Sequence, residues 1–399
     1  MKIAIVSDMH IGYERFSDDA IKQATAAMEL ANQVADAVIL PGDIFDKRAP
    51  KPDVIAQAIN LFREAAAKPW KAKVVDFKSD RERYTDVPIV AISGTHERTA
   101  AGRDNALNLM GLAGLLVDTS ESTTIIEKDG ERVAIYGIGG IAEERVREHL
   151  KITDPKPVDG LFSIFMFHQS VYEILPFSGD FICYEELPKG FDLYVDGHIH
   201  SRIEHVVHGK PFLIPGSTVL TQLKDGEQED KGFFLFDTKT KTYEFIKIVS
   251  RRFFVRNIKV EGIGPKEIKD RCEREIEAVL KDYENPIVRI KVEGTIAAGF
   301  GNVDMPMQML INKYSDRVVL DFDTSKLVNS DLERGIEEIR STKDGGATVK
   351  ELGMGMLLSR LKEEKLADSI RVSELFGILS SDVKKEKAIA EAMEMLERV

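Results

Sequence analysis

Asp8 and His10 stand as Asp-Met-His directly after the apolar run Ile3–Ser7. Asp43 follows the run Ala37–Pro41 in Gly42-Asp43-Ile44-Phe45-Asp46, and His96 follows Pro88–Ser93 in Gly94-Thr95-His96-Glu97. His168 comes after Leu161–Phe167, and His198 and His200 come after Leu193–Val195 as Gly-His-Ile-His. Each motif alone says little, because a Gly-Asp after a strand is usually a turn and a strand-end histidine usually a structural one. Together they place five of the chain's eight histidines at the ends of apolar runs, and His149, His205 and His208 elsewhere. Carboxylates and imidazoles in this mixture suit a pair of divalent ions. Two such ions roughly 3.5–4 Å apart hold both a hydroxide nucleophile and the oxygens of a phosphodiester. A carboxylate such as Asp43 has two oxygens and can bridge both ions. Imidazole with carboxylate suits Mn²⁺, Fe or Zn²⁺ better than Mg²⁺, which prefers oxygen alone. The glycines before Asp43, Thr95 and His198 allow tight turns that bring backbone near the metals.

The elements that must position these groups are strands alternating with helices. Between the β-rich runs lie stretches of helical period, Asp18–Val34, Pro52–Ala66 and Asp104–Leu115, which implies βαβ units and a largely parallel sheet. Parallel strands collect ligands at their carboxyl ends. Glu127 to Tyr136 reads as a hairpin turning at Asp129-Gly130. After Phe191 the pattern is nearly all strand, and that half is expected to be antiparallel, giving an α/β sandwich of two packed sheets. A small α+β module follows from residue 251 to 340: strand Phe253–Val260, helix Pro265–Asp282, strand Ile287–Glu293, a helix near Met305–Tyr314 and strand Arg317–Phe322. Lys343 to Gly346 reads as a linker, and residues 347–399 as a helical tail with an apolar stripe from Leu352 to Leu379.

Length and charge narrow the class. At 399 residues the chain exceeds one ordinary core. A net charge of −12 excludes a protein held to nucleic acid by an overall positive field, so any positive contact must be local. Cys183 and Cys272 lie too far apart in sequence to suggest a disulfide framework or a structural zinc site. The start lacks the pattern of a signal peptide, and no apolar span suits a membrane, so a cytoplasmic protein without a membrane partner is expected.

The order of these motifs resembles the calcineurin-like metallophosphoesterases. Within them the chain is similar to the SbcD-like nucleases, which process DNA double-strand breaks with an ATPase partner. Phe167-His168-Gln169 followed by Ser170–Pro176, then Pro215-Gly216-Ser217-Thr218 and Lys231-Gly232-Phe233, carry the narrower likeness. It covers residues 1–250 strongly, and the later module and tail by placement. The resemblance implies a calcineurin-like two-sheet phosphodiesterase domain, a DNA-binding cap domain and a helical region that docks on an ATPase resembling the SMC proteins. It implies one metal held by Asp8, His10, Asp43 and His200, a second by Asp43, His168 and His198 with Thr95 completing it, and His96 as the catalytic group beside the scissile phosphate. Mn²⁺ is the expected ion, DNA exonuclease and endonuclease activity the expected reaction, and a homodimer through the early helices the expected assembly.

The chain departs from that pattern twice. Thr95 stands where the family has Asn, and its hydroxyl is a poorer ligand than an amide oxygen. Asp46, a second candidate catalytic group, stands where the nuclease branch has His, and an aspartate donates a proton near neutral pH only if its pKa is raised. Arg251, Arg252 and Arg256, interleaved with Phe253 and Phe254, either contact DNA phosphates or form the solvated face of a strand. Another phosphoesterase of the same fold, or a DNA-tethering scaffold with weakened catalysis, are the competing functions.

Overall fold

The computed structural model describes residues 1–78, 83–98, 104–176, 179–300 and 305–329. The chain divides into two compact units, Met1–Phe254 and Val255–Val399. The expected helical tail, 347–399, lies outside the described residues.

Apolar runs without polar interruption form the centre of the first unit. β1 (Lys2–Ile5) and β2 (Ala37–Leu40) are buried on both faces, as the sequences Ile-Ala-Ile and Ala-Val-Ile-Leu require. α1 (Ser17–Val34) and α2 (Pro52–Ala66) follow them. Next come β3 (Lys73–Lys78), β4 (Ile89–Ala91), α3 (Ala106–Leu112) and β5 (Val117–Asp118). Asn105 caps α3 by accepting the Asn108 N–H while the Asn108 side chain accepts the Asn105 N–H. β6 (Ser122–Lys128) and β7 (Glu131–Ile138) make the expected hairpin, with Asp129 and Gly130 both at positive φ. α4 (Glu143–Thr153), β8 (Phe162–Phe167), β9 (Leu193–Asp196), β10 (Ile203–Val207), β11 (Lys210–Ile214), β12 (Gly232–Asp237) and β13 (Thr242–Lys247) complete the unit.

These strands form two sheets, ordered β13-β12-β1-β2-β4-β5 and β10-β11-β9-β8-β7-β6-β3. Alternation along β1 explains the layering. Ile3 and Ile5 face the second sheet, joining Ile39, Val90, Ile164, Met166, Val195 and Phe234 in one core. Ala4 and Val6 face the other way, under Ala24, Ala27, Met28 and Phe62 of α1 and α2. A third core, with Phe165, Phe167, Tyr194 and Phe212, covers the far face of the second sheet. The two-sheet α/β sandwich anticipated from sequence is therefore present.

One expectation fails in detail. β9 runs parallel to β8 and β11 parallel to β9, so among the described residues of the first unit antiparallel pairing after Phe191 is confined to β10 with β11, β12 with β13, and β12 with β1. The reason is burial: Leu193–Asp196 is enclosed on both faces, an interior strand rather than the half-exposed member of a hairpin. β3 and β5 also escaped notice. β3 is a polar edge strand with an irregularity between Val74 and Asp76, and β5 has two residues.

In the second unit β14 (Phe253–Ile263), β15 (Ile287–Ile296), β16 (Val319–Asp323) and β17 (Leu327–Asn329) form one sheet, with β16 and β17 both parallel to β15. α5 (Pro265–Leu280) buries Ile268, Cys272, Ile276 and Val279, the helical-period stripe of its sequence. α6 (Met307–Tyr314) buries Leu310 and Tyr314. No helix among the described residues is long and apolar enough to cross a membrane.

Phe234 tests the inter-sheet core. It is fully buried and meets Tyr243 and Phe245 edge-on at 5.7 and 5.4 Å between ring centres. Phe234→Ala is expected to destabilise the first unit by about 3–5 kcal/mol, read from denaturant unfolding. A loss under about 1 kcal/mol would mean the two sheets do not depend on that contact.

Candidate metal centre

Parallel pairing brings the predicted groups together. β1, β2 and β4 are parallel neighbours in one sheet, and β8 and β9 in the other. The loops after them are laced by backbone bonds: Asp8 N–H to Gly42 O (3.3 Å), His10 N–H to Asp43 O (3.0 Å) and Gly197 N–H to Phe167 O (3.1 Å).

Ligand-type atoms of Asp8, His10, Asp43 and His200 lie within 4.8 Å of one another, and so do those of Asp43, His168 and His198. Asp43 belongs to both clusters. Thr95 Oγ1 is 3.4 Å from His198 Nδ1, beside the second cluster. His96 Nε2 is 3.9 Å from Asp43 Oδ2 and its ring is 41% exposed, so it stands at the mouth of the site. His10, Asp46 and His96 make a third close group. There the Asp46 carboxylate lies 3.3 Å from His10 Nδ1, while the Asp46 carbonyl accepts from His96 Nδ1. The three arginines sit in ion pairs instead: Arg251 with Asp19 (2.9 Å), Arg252 with Asp230, and Arg256 with Glu275 (3.4 Å).

The donor set fits divalent ions on the orientation of its rings. His168 Nδ1 donates to Pro41 O at 2.7 Å, which turns the buried Nε2 inward, 3.2 Å from Asp43 Oδ2 and without a hydrogen bond of its own. His10 Nε2 and His200 Nε2 face each other at 3.1 Å. Histidine ligands bind metal in this way, one nitrogen on the ion and the other on a carbonyl or carboxylate.

Burial sets the electrostatics. It raises Asp8 to about 6 and pushes Asp196 well above the usual carboxylate range. Burial, with the charge of His168, lowers His198 to about 4; burial, with the charge of His10, lowers His200 to about 2. Burial opposes ionisation of Asp43 and His168 too, yet the attraction between them wins. Asp43 is held below its ordinary range and His168 rises to about 10. Carboxylates and imidazoles thus crowd into a largely buried site, where a bound cation would favour the ionised carboxylates and the neutral rings.

The backbone is tuned to the same end. Asp8, His10, Asp43 and His198 all have positive φ (51°, 45°, 48° and 67°), a conformation uncommon outside glycine and costly unless the surroundings enforce it. Gly94 and Gly197 permit the close approach. A Cβ on Gly94 would lie 2.2 Å from Asp43 N, and one on Gly197 would lie 2.1 Å from Pro41 O.

Glu97 escaped the sequence reading as a functional residue. It is fully buried, and its carboxylate accepts the N–H groups of Asp43 (3.1 Å), Phe45 (2.6 Å) and Gly94 (2.7 Å). Asp43 Oδ1 in turn accepts the His96 N–H at 2.8 Å. The loops after β2 and β4 therefore hold each other through two carboxylates. Nothing in sequence separates Glu97 from a solvated glutamate except its place next to His96.

The fold and this centre are those of a phosphoesterase: residues 1–202 match the calcineurin-like phosphoesterase family, and the chain belongs to that family. Among relatives, it is 27% identical over 350 residues to the double-strand break repair protein MRE11 of Coprinopsis cinerea, covering 72% of this chain and 47% of that protein. It is 25% identical over 351 residues to the double-strand break repair protein MRE11 of Encephalitozoon cuniculi, covering 82% and 57%. It is 26% identical over 321 residues to the DNA double-strand break repair protein Mre11 of Sulfolobus acidocaldarius, covering 74% and 76%. The chain spans about half the length of the first two relatives.

Removing Glu97 tests the clamp. Glu97→Ala leaves three buried N–H groups without their acceptor and is expected to cost about 3 kcal/mol in the metal-stripped protein. Glu97→Gln, which keeps an acceptor oxygen, is expected to lose less. Equal unfolding midpoints for the wild type and the alanine variant would show that the loops stand without it.

Proposed function

We propose that this chain is a DNA nuclease that hydrolyses phosphodiester bonds during double-strand-break processing, with two divalent ions, Mn²⁺ by preference, at the carboxyl ends of its strands. The observation that carries the reading is the sharing of Asp43 between two clusters, Asp8–His10–Asp43–His200 and Asp43–His168–His198. A carboxylate shared by two neighbouring clusters is the arrangement a bridging ligand needs. The family and the repair proteins it resembles support the substrate class.

Bound there, divalent ions would supply a hydroxide nucleophile and positive charge against the phosphate oxygens. Asp8, His10, Asp43 and His200 would hold one ion, and Asp43, His168 and His198 the other, with the Thr95 hydroxyl at its edge. His96, fixed through Nδ1 on the Asp46 carbonyl, presents Nε2 to the reacting phosphate. From Nε2 it stabilises charge on the leaving oxygen or passes it a proton. Asp46 acts through the two rings it touches, His10 and His96, and so supports them as an orienting residue.

The remaining assignments extend the same reading. Residues 251–340 serve as the DNA-contacting cap, with Arg251, Arg252 and Arg256 exchanging their present acidic partners for phosphates. Residues 347–399 dock on an SMC-like ATPase. Homodimerisation uses the helices after the early strands, where Leu109 and Leu112 of α3 and Ile59 of α2 are exposed.

End-labelled duplex DNA with Mn²⁺, Mg²⁺ or EDTA tests the assignment. Cleavage is expected with Mn²⁺ and none with EDTA. His96→Ala is expected to lower kcat by about 10²–10⁴-fold while the protein still binds metal. Intact DNA beside hydrolysis of a generic phosphodiester would reassign the substrate; intact DNA and intact diester would favour a tethering scaffold.

A further inference from the structure

A buried carboxylate outside both clusters is linked to one of the clustered histidines through a threonine hydroxyl. His200 Nδ1 lies 2.5 Å from Thr221 Oγ1, and that hydroxyl donates to Glu227 Oε1 at 2.8 Å. Glu227 is buried in the short turn Asp225–Gln228, and its other oxygen accepts the N–H groups of Thr221 (3.1 Å) and Gln222 (2.9 Å). Tyr13 holds Thr221 from the other side, its hydroxyl donating to Thr221 O at 2.7 Å. Lys231, buried as well, donates to Ser217 Oγ at 3.0 Å, and both Glu227 and Asp8 act on its charge.

The direction of the hydrogens follows from counting them. A threonine hydroxyl has one hydrogen. With that hydrogen on Glu227, Thr221 can only accept from His200, so Nδ1 of His200 carries the ring hydrogen. The lone pair is then on Nε2, the atom facing His10 Nε2 at 3.1 Å. We propose that Glu227, acting through Thr221, is a positioning residue that fixes the ligating tautomer of His200 and so sets the affinity of the metal position that Asp8, His10, Asp43 and His200 form. The inference rests on the metal-binding reading above and adds to it Thr221 and Glu227, which stand outside both ligand clusters.

Glu227→Gln separates this role from a packing role. Its amide oxygen can keep the bonds from Thr221 N and Gln222 N, while its NH₂ faces Thr221 Oγ1 and donates to it. The hydroxyl hydrogen is then released towards His200 Nδ1, which favours the tautomer with hydrogen on Nε2. Thr221→Val removes the hydroxyl at nearly constant shape, and Thr221→Ser restores it. The full chain, stripped of metal, is titrated with Mn²⁺ while electron paramagnetic resonance counts the free ion, and thermal unfolding of the metal-free forms is recorded alongside. Wild type is expected to bind two ions. E227Q and T221V are expected to weaken the same one of the two by about 10–100-fold, with T221S close to wild type and metal-free midpoints unchanged. Wild-type binding of both ions in E227Q and T221V overturns the proposal, and so does loss of both ions together with a lowered metal-free midpoint. Wild type that takes up no Mn²⁺ would instead sink the metal reading itself, and this inference with it.

Discussion

Asp43 has three obligations at once, and the centre depends on their being met together. Its N–H is bound by Glu97, its Oδ1 holds the His96 N–H, and its Oδ2 faces His168 Nε2 at 3.2 Å. A carboxylate buried to this degree is tolerated only when every lone pair has a partner, because an uncompensated buried charge is very costly. Asp43 stands on the loop after β2, and its partners come from the loop after β4 in the same sheet and the loop after β8 in the other. β9, parallel to β8, brings His198 and His200 to the same edge.

The same crowding explains the backbone. Positive φ at Asp8, His10, Asp43 and His198 points their side chains into the site at angles an ordinary extended exit from a strand would not give. Such conformations cost of order 1–3 kcal/mol each. They persist because rigid strands on one side and backbone bonds between loops on the other leave no relaxed alternative. The two-sheet core, with its fully buried Phe234 and Ile164, is thus the foundation on which the strained loops are held.

How much of this was legible in sequence follows from what each element exposes to a reader. The residues that gather into the two clusters are visible in sequence because polar residues after fully apolar runs break a simple pattern, as at Asp8, Asp43 and His168. Strands buried on both faces also announced themselves. β3 and β5 did not, since a polar edge strand and a two-residue strand carry no periodic signal. Parallel pairing of β9 was hidden because neighbouring strands in sequence suggest hairpins. Glu97, Thr221 and Glu227 were hidden for a deeper reason: they work by hydrogen bonds to backbone and to other side chains, and a residue type does not reveal whom it faces.

The two clusters are unequal, and the inequality gives the site a direction. Asp8, His10 and Asp43 are buried in the first cluster, and His200 is partly so, held from behind by Thr221. The second cluster combines buried Asp43 and His168 with the more open His198, and its neighbour Thr95 is exposed. An ion held at the first position would be enclosed by three buried donors and His200, whereas one at the second would have fewer protein donors and a more open side. His96, at the exposed mouth and tied to Asp43 through its own backbone, stands on that open side. On the proposed reading, a phosphate entering there would meet the more open cluster and the His96 imidazole together, with the more buried cluster behind them.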